Sequence, residues 1–223
     1  MTAIRAVACD VFGTLVHVPD PWFRRLAPEM LGVPPRAWLA AVRSVGLRQA
    51  YPSVEELVVA LAAAVGVSQP QRQELLAEAV RKQLAQAKLV PGALSSLRFL
   101  RRRGLKLALI SNLSSAHAQV IKDLSLEELF DVQLFSCELG ATKPAPEVFL
   151  RLCQELALAP SQILVVGDSE ASDGAARRLG FPVLLVGSQR LPHFFLLGWF
   201  SWESSDLRSL LREGQQLVLG KKA

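Results

Sequence analysis

Four places in this chain put reactive or anion-holding side chains directly after apolar runs. Asp10 opens the stretch Asp-Val-Phe-Gly-Thr-Leu at residues 10–15. Ser111-Asn112 follows the apolar residues 107–110, Lys143-Pro144 stands a little beyond a third run, and Asp168 follows Gly167 with Asp173 five residues on. A lone Asp or Ser after a strand is ordinarily a turn residue. Four such ends of complementary chemistry are harder to assign to turns. A carboxylate such as Asp10 is a covalent nucleophile in phosphoryl chemistry. Asp10 and Asp168 together suit a hard divalent cation, which prefers oxygen ligands. The Lys143 ammonium and the Ser111 hydroxyl suit the oxygens of an anionic substrate. Gly13 permits a sharp turn beside Asp10, and Thr14 is placed to hydrogen-bond within it.

These residues need a scaffold that delivers them to one edge. Five short runs rich in Val, Ile and Leu, at residues 5–10, 105–111, 131–135, 163–167 and 182–186, read as strands buried on both faces. Helical patterns lie between them, at 94–103 before Gly104, at 114–124, at 146–156 after a proline suited to a first turn, and at 173–179 before Gly180. Ser125 with Glu128 has the spacing of a capping box. Continuous apolar strands separated by helices imply an α/β fold, a Rossmann-like parallel sheet of about five strands covered by helices. In such sheets ligands bind beyond the carboxyl ends of the strands.

Residues 20–88 have a different texture, rich in Ala and Leu, without a clear strand, and broken at Pro21, Pro34-Pro35, Pro52 and Pro70. The stretches 54–65 and 71–88 are good helix sequences. The insertion is longer than a crossover needs. We therefore expect an all-helical cap at 17–88, of about four helices, inserted into an α/β core made of 1–16 and 89–223.

The four segments resemble, in order and spacing, the four motifs of the haloacid dehalogenase-like hydrolase superfamily. Residues 10–15 resemble the first, Ser111 after 107–110 the second, Lys143-Pro144 the third, and Gly167-Asp168 with Asp173 the fourth. The resemblance covers about 1–16 and 89–190, and the cap matches only in place and helical character. It implies that Asp10 attacks and forms an aspartyl ester. It implies magnesium held by Asp10, the backbone carbonyl of Phe12 and Asp168, with Asp173 supporting those ligands from behind. Ser111 and Lys143 would bind the transferring group, with Lys143 also orienting Asp10. Thr14 and Asn112 join them as substrate-binding residues.

One residue departs from the pattern. Phosphatases of the superfamily carry a second Asp two residues after the nucleophile, and here that position is Phe12. General acid–base help contributes typically about 10²–10⁴ in rate. Members resembling 2-haloacid dehalogenases have an aromatic residue there, and halide needs no proton to leave. Those enzymes work without metal and usually lack the first acid of the fourth motif, whereas Asp168 is present. They receive halide on a cap arginine, for which Arg43 and Arg48 are candidates, Arg43 being carried forward as substrate-binding. The position six after Lys143, often Tyr in them, is Phe149. The readings in order are a magnesium-dependent phosphohydrolase of a small phosphorylated metabolite, a metal-independent 2-haloacid dehalogenase, and a weakly active member that binds a ligand or partner. Phosphonate cleavage through a cap lysine ranks last, because Lys82 and Lys88 both fall late in the cap.

Composition narrows the remaining classes. The 223 residues are 51% hydrophobic and 20% charged, with a net charge of +5, a globular balance. The dense basic cluster Arg101-Arg102-Arg103 precedes Gly104, where cations complement a helix C-terminus, so no nucleic-acid partner is expected. No apolar run approaches the ~20 residues of a membrane span, and no secretory signal is evident. Cys9, Cys137 and Cys153 are odd in number and lack metal spacing, which points to a reducing, cytoplasmic setting. Cys9 should face the core. The expected partner is a small anionic substrate, and the chain a monomer or homodimer. His17, His117 and His193 are scattered and read as surface or packing residues, and Trp22, Trp38 and Tyr51 as packing within the cap. The apolar 193–200, with Trp202 nearby, reads as an added edge or association patch, 206–211 as a short helix, and 220–223 as a frayed end.

Overall fold

The computed structural model describes residues 3–18 and 22–186, so the expectations for His193, 193–202, 206–211 and 220–223 lie outside the described residues. In chain order the strands are β1 Ala6–Cys9, β2 Val16–His17, β3 Lys88–Leu89, β4 Lys106–Ser111, β5 Val132–Phe135, β6 Ile163–Gly167 and β7 Val183–Leu185. The α-helices are α1 Trp22–Leu31, α2 Pro35–Ala41, α3 Val54–Ala64, α4 Pro70–Leu84, α5 Ala93–Arg102, α6 Ser115–Asp123, α7 Ser136–Leu139 and α8 Pro146–Leu156. Five strands form one parallel sheet in the order β5-β4-β1-β6-β7. They are the five apolar runs of the sequence, each within one residue of the expected bounds.

Alternation along the central strands divides the core into two layers. Val7 and Cys9 of β1 join Leu107, Leu109, Leu164 and Val166 beneath Leu97 and Leu100 of α5 and Val120 and Ile121 of α6. Ala6 and Ala8 join Ala108, Ile110, Ile163 and Val165 beneath Val148, Phe149, Leu152 and Leu156 of α8. In that second layer β1 is lined by alanine and α8 supplies the bulk. Cys9 is buried in the core as expected, and Phe149 is a core residue against Phe181, with ring centroids 5.8 Å apart. Cys9 pairs in register with Leu109 and with Val166. Asp10, Ser111 and Gly167 therefore leave the sheet at the same edge.

Three local expectations change. Ser125 is no capping residue: it takes φ 54 and closes α6, donating its N–H to Lys122 O while Leu126 donates to Ile121 O. A left-handed terminus leaves no room for a cap opening there, and a 3₁₀ turn follows at Glu127–Leu129. The 173–179 segment is a 3₁₀ helix, Gly174–Leu179. The insertion is also not free of strand. β2 and β3 pair antiparallel at its two ends, Val16 with Leu89 and His17 with Lys88.

Between those two strands α1, α2, α3 and α4 pack on one another around Leu31, Trp38, Leu57, Leu61, Leu76 and Val80. Ser53 caps α3, its Oγ accepting from Glu56 N at 3.1 Å. The arginine cluster behaves as a helix end: Arg101 and Arg102 close α5, Arg101 pairs with Asp131, and Gly104 takes φ 78 beyond them. No helix among the described residues is long and apolar enough to cross a membrane.

Candidate active site

Asp10 follows β1 and is 8% exposed. Its backbone N–H donates to Val166 O at 2.8 Å, so β6 holds it where β1 ends. The turn behind it depends on Gly13, which takes φ 86. A side chain there would also collide with the Asp168 carboxylate, so Gly13 lets the two acids approach. Thr14 behaves differently from the expectation. Its hydroxyl is buried without a hydrogen-bond partner among the described residues, and the turn is closed by backbone bonds of residues 13–16 to Val11 and Val16.

Lys143 is 4% exposed and its ammonium sits between two carboxylates. Nζ donates to Asp10 Oδ1 at 2.8 Å, to Asp173 Oδ1 at 2.5 Å and to the Ile110 carbonyl at 2.7 Å. All three of its protons are thereby engaged. Burial alone would lower the lysine's pKa, but Asp10 and Asp173 outweigh it and raise it above the ordinary value. Burial pushes the Asp10 carboxyl up, and Lys143, with a hydrogen bond from Ser111, pulls it back. The backbone of Lys143 is clamped by Asn112, which accepts from Lys143 N at 2.7 Å and donates to Lys143 O at 2.8 Å. Asn112 thus uses its amide on the chain that carries Lys143. The Lys143–Pro144 peptide is cis.

Asp173, 1% exposed, gives Oδ1 to Lys143 and accepts at Oδ2 from Ser169 N and Ser172 Oγ. The backbone and hydroxyl donors of the loop after β6 were not legible beforehand. Asp168 is more exposed. Its carboxyl is raised by burial and by the charges of Asp10 and Asp173. Carboxylate oxygens of Asp10, Asp168 and Asp173 all lie within 4.8 Å of one another. One ammonium leaves two of those three negative charges uncompensated. Asp173 already has both oxygens engaged, so Asp10 and Asp168, hard oxygen donors, are the pair that suits a divalent cation.

Phe12 is not surrounded by water alone. The His117 ring meets it edge-on, with centroids 5.4 Å apart, and His117 Nδ1 lies 2.8 Å from the buried Ser114 Oγ. The sequence offered no signal for this contact, which joins the first turn of α6 to the loop after β1. His17 is exposed on β2 and Arg43 is exposed in the π-helical turn Val42–Gly46 that follows α2.

A buried aspartate at the carboxyl end of the central parallel strand, ion-paired to lysine and beside further acids, defines an α/β enzyme with hydrolase-type chemistry. The chain belongs to the haloacid dehalogenase-like hydrolase family, whose sequence model matches residues 4–180. It is 32% identical over 91 residues to a phosphorylated carbohydrates phosphatase of Thermotoga maritima, covering 40% of this chain and 42% of that protein. It is 35% identical over 97 residues to a phosphoglycolate phosphatase of Pasteurella multocida, covering 43% of each. The matched stretch therefore spans less than half the length of these relatives. Among solved structures, a family enzyme of Bacteroides thetaiotaomicron, in complex with magnesium and inorganic phosphate, superposes with a TM-score of 0.64 at 18% identity. That match covers 85% of this chain and 97% of that one. A dehalogenase captured with an intermediate superposes with a TM-score of 0.62 at 21% identity, covering 86% and 88%. These structural likenesses establish the fold.

Proposed function

We propose that this chain is a magnesium-dependent phosphohydrolase of a small phosphorylated metabolite, with Asp10 as nucleophile. The observation that carries the reading is the buried Lys143 ammonium bridging Asp10 and Asp173, with Asp168 completing an acid cluster one cation short of balance. The phosphatase names of the relatives support the same substrate class. In this reading residues 17–88 are a cap over a core of 1–16 and 89–223. Free Cys9, Cys137 and Cys153 fit a reducing cytoplasm.

Asp10 Oδ2 attacks phosphorus while Lys143 holds Oδ1, which fixes the carboxylate's orientation. The P–O bond breaks as the aspartyl phosphate forms, the leaving alkoxide takes its proton from solvent, and water then cleaves the acyl phosphate and restores Asp10. The Ser111 hydroxyl would face the phosphoryl oxygens, while Lys143, its protons already engaged, contributes its positive charge beside them. Asn112 positions Lys143 through its backbone, and Asp173 positions it through its ammonium. Magnesium, held by Asp10, Asp168 and the Phe12 carbonyl, would supply charge neutralisation at the transferring group. Phe12 neither protonates the leaving oxygen nor activates water, so substrates with good leaving groups are favoured.

The test is phosphate release from a panel of phosphomonoesters that includes phosphoglycolate, with magnesium, with EDTA, and with Asp10→Asn. The proposal requires release that EDTA and the substitution both abolish. Absence of release from every ester would sink it. Phe12 favours a second reading, a 2-haloacid dehalogenase. Chloride release from 2-chloropropionate in EDTA would establish it, and no release would remove it.

A further inference from the structure

Ser136 follows β5 and opens α7, and only 1% of it is exposed. A serine at a helix start ordinarily caps it, yet this side chain makes no cap bond. Its Oγ turns instead to a single residue beyond the end of β4. It accepts from Leu113 N at 3.1 Å and donates to Leu113 O at 3.2 Å.

The address of that pair of bonds matters. The β4–β5 ladder ends where Ser111 meets Phe135. Beyond it α7 carries the backbone away, and the Ser136 side chain supplies one more rung. The chain returns at Lys143 and takes hold of the same segment again. Lys143 Nζ donates to Ile110 O, and the Lys143 backbone exchanges two hydrogen bonds with the Asn112 amide. Residues 110–113, with Ser111 among them, are thus gripped from 136 at one end and from 143 at the other. Both bonds of Ser136 are buried, and Leu113 is 2% exposed. Buried backbone groups left without partners cost free energy, so removing the hydroxyl would drive this segment to shift.

We propose that Ser136 is a positioning residue for the reaction. By fixing Leu113 it keeps Ser111 and Asn112 in register with the Lys143 loop, and so sets where the Ser111 hydroxyl and the Lys143 ammonium stand relative to Asp10. The inference rests on the phosphohydrolase reading.

The experiment measures p-nitrophenyl phosphate hydrolysis by the full chain with magnesium, for the native protein, Ser136→Ala, Ser136→Thr and Ser96→Ala. Ser96 is the control, because its hydroxyl is also buried but has no hydrogen-bond partner among the described residues. A misplacement of about 1 Å costs up to about 10²-fold in rate, so Ser136→Ala should lower kcat at least about tenfold. KM should stay within about threefold, the pattern of an interaction made in the transition state. Ser136→Thr keeps the hydroxyl and should recover most of the rate, and Ser96→Ala should keep all of it. Added to Asn112→Ala, Ser136→Ala should cost less than about a further twofold, since both reach Lys143 by one path. Melting temperatures establish folding. Should Ser136→Ala not fold, Ser136→Cys, with its weaker donor, takes its place. An unchanged kcat in Ser136→Ala, an equal loss in Ser96→Ala, a folded Ser136→Thr as slow as the alanine variant, or losses that multiply in the double variant each overturns the inference and leaves the phosphohydrolase reading in place. No phosphate release by the native protein removes that reading, and the inference with it.

Discussion

Lys143 Nζ lies 2.8 Å from Asp10 Oδ1 across 133 residues of sequence, with less than a tenth of either residue exposed. The same ammonium reaches Asp173, so a single side chain neutralises parts of two strand-end loops. Removing one partner of a buried ion pair leaves an uncompensated charge and costs about 3–5 kcal/mol. Lys143→Met should lower stability by that order in EDTA. Magnesium should restore part of the loss, because the crowded carboxylates then have a cation again. Thermal melts with and without magnesium check this. An unchanged melting temperature in EDTA would show the pair to be dispensable.

Gly13 carries a separate constraint. At φ 86 an alanine costs about 1–2 kcal/mol in backbone strain, and its methyl would displace the Asp168 carboxylate. Gly13→Ala should therefore weaken apparent magnesium affinity by about tenfold, the low end for disturbing a ligand's surroundings. A magnesium titration of the melting temperature reads it. Equal affinity in both proteins would place the metal elsewhere.

His117 makes stability depend on pH. Its ring is half-buried beside Phe12 and Ser114, and burial lowers its pKa from 6.5 to about 4. As pH falls through 6.5 the unfolded chain takes up the proton and the folded chain does not, so stability falls with pH until about 4. At pH 5 the contribution is about 2 kcal/mol below its value at pH 7. Urea unfolding at both values, for the native chain and His117→Gln, isolates the part owed to this residue. The substitution should flatten the slope by that amount, and a slope it leaves untouched would contradict the assignment.

Phe12 offers a gain-of-function test. If Asp10 transfers phosphate without a proton donor, p-nitrophenyl phosphate should be cleaved much faster than ethyl phosphate. Phe12→Asp should raise turnover of the alkyl ester by about 10²-fold, the lower end of general acid–base catalysis, and narrow the gap between the two. A folded Phe12→Asp protein with no gain on either ester would count against phosphoryl transfer. Circular dichroism establishes folding, since the Phe12 ring packs on the core and on His117.

Much of this arrangement was legible in the sequence, for reasons visible in particular residues. Val7 and Cys9, Leu107 and Leu109, and Leu164 and Val166 face one layer, and the residues between them face the other. Strands buried on both faces therefore show as unbroken apolar runs. Each polar residue that ends a run marks the carboxyl edge. Ser125 misled because its spacing to Glu128 matches a cap, while the chain there is finishing α6 in a left-handed conformation. The two-residue strands β2 and β3 escaped notice because so short a pairing carries no periodicity.

The sequence by itself determined the parallel sheet, the burial of Cys9 and Trp38, and the order in which Asp10, Ser111, Lys143 and Asp168 reach one edge. Tertiary structure alone decided how those groups share their bonds. It gave Lys143 to Asp10 and Asp173 together, turned Asn112 toward the Lys143 backbone, set His117 against Phe12, and tied the Tyr51 N–H to Ser115 of α6. The difference is physical. Burial pattern is a local property written in period two along each strand. A hydrogen bond between residues far apart in sequence exists only once the packing of separate elements has fixed their distance.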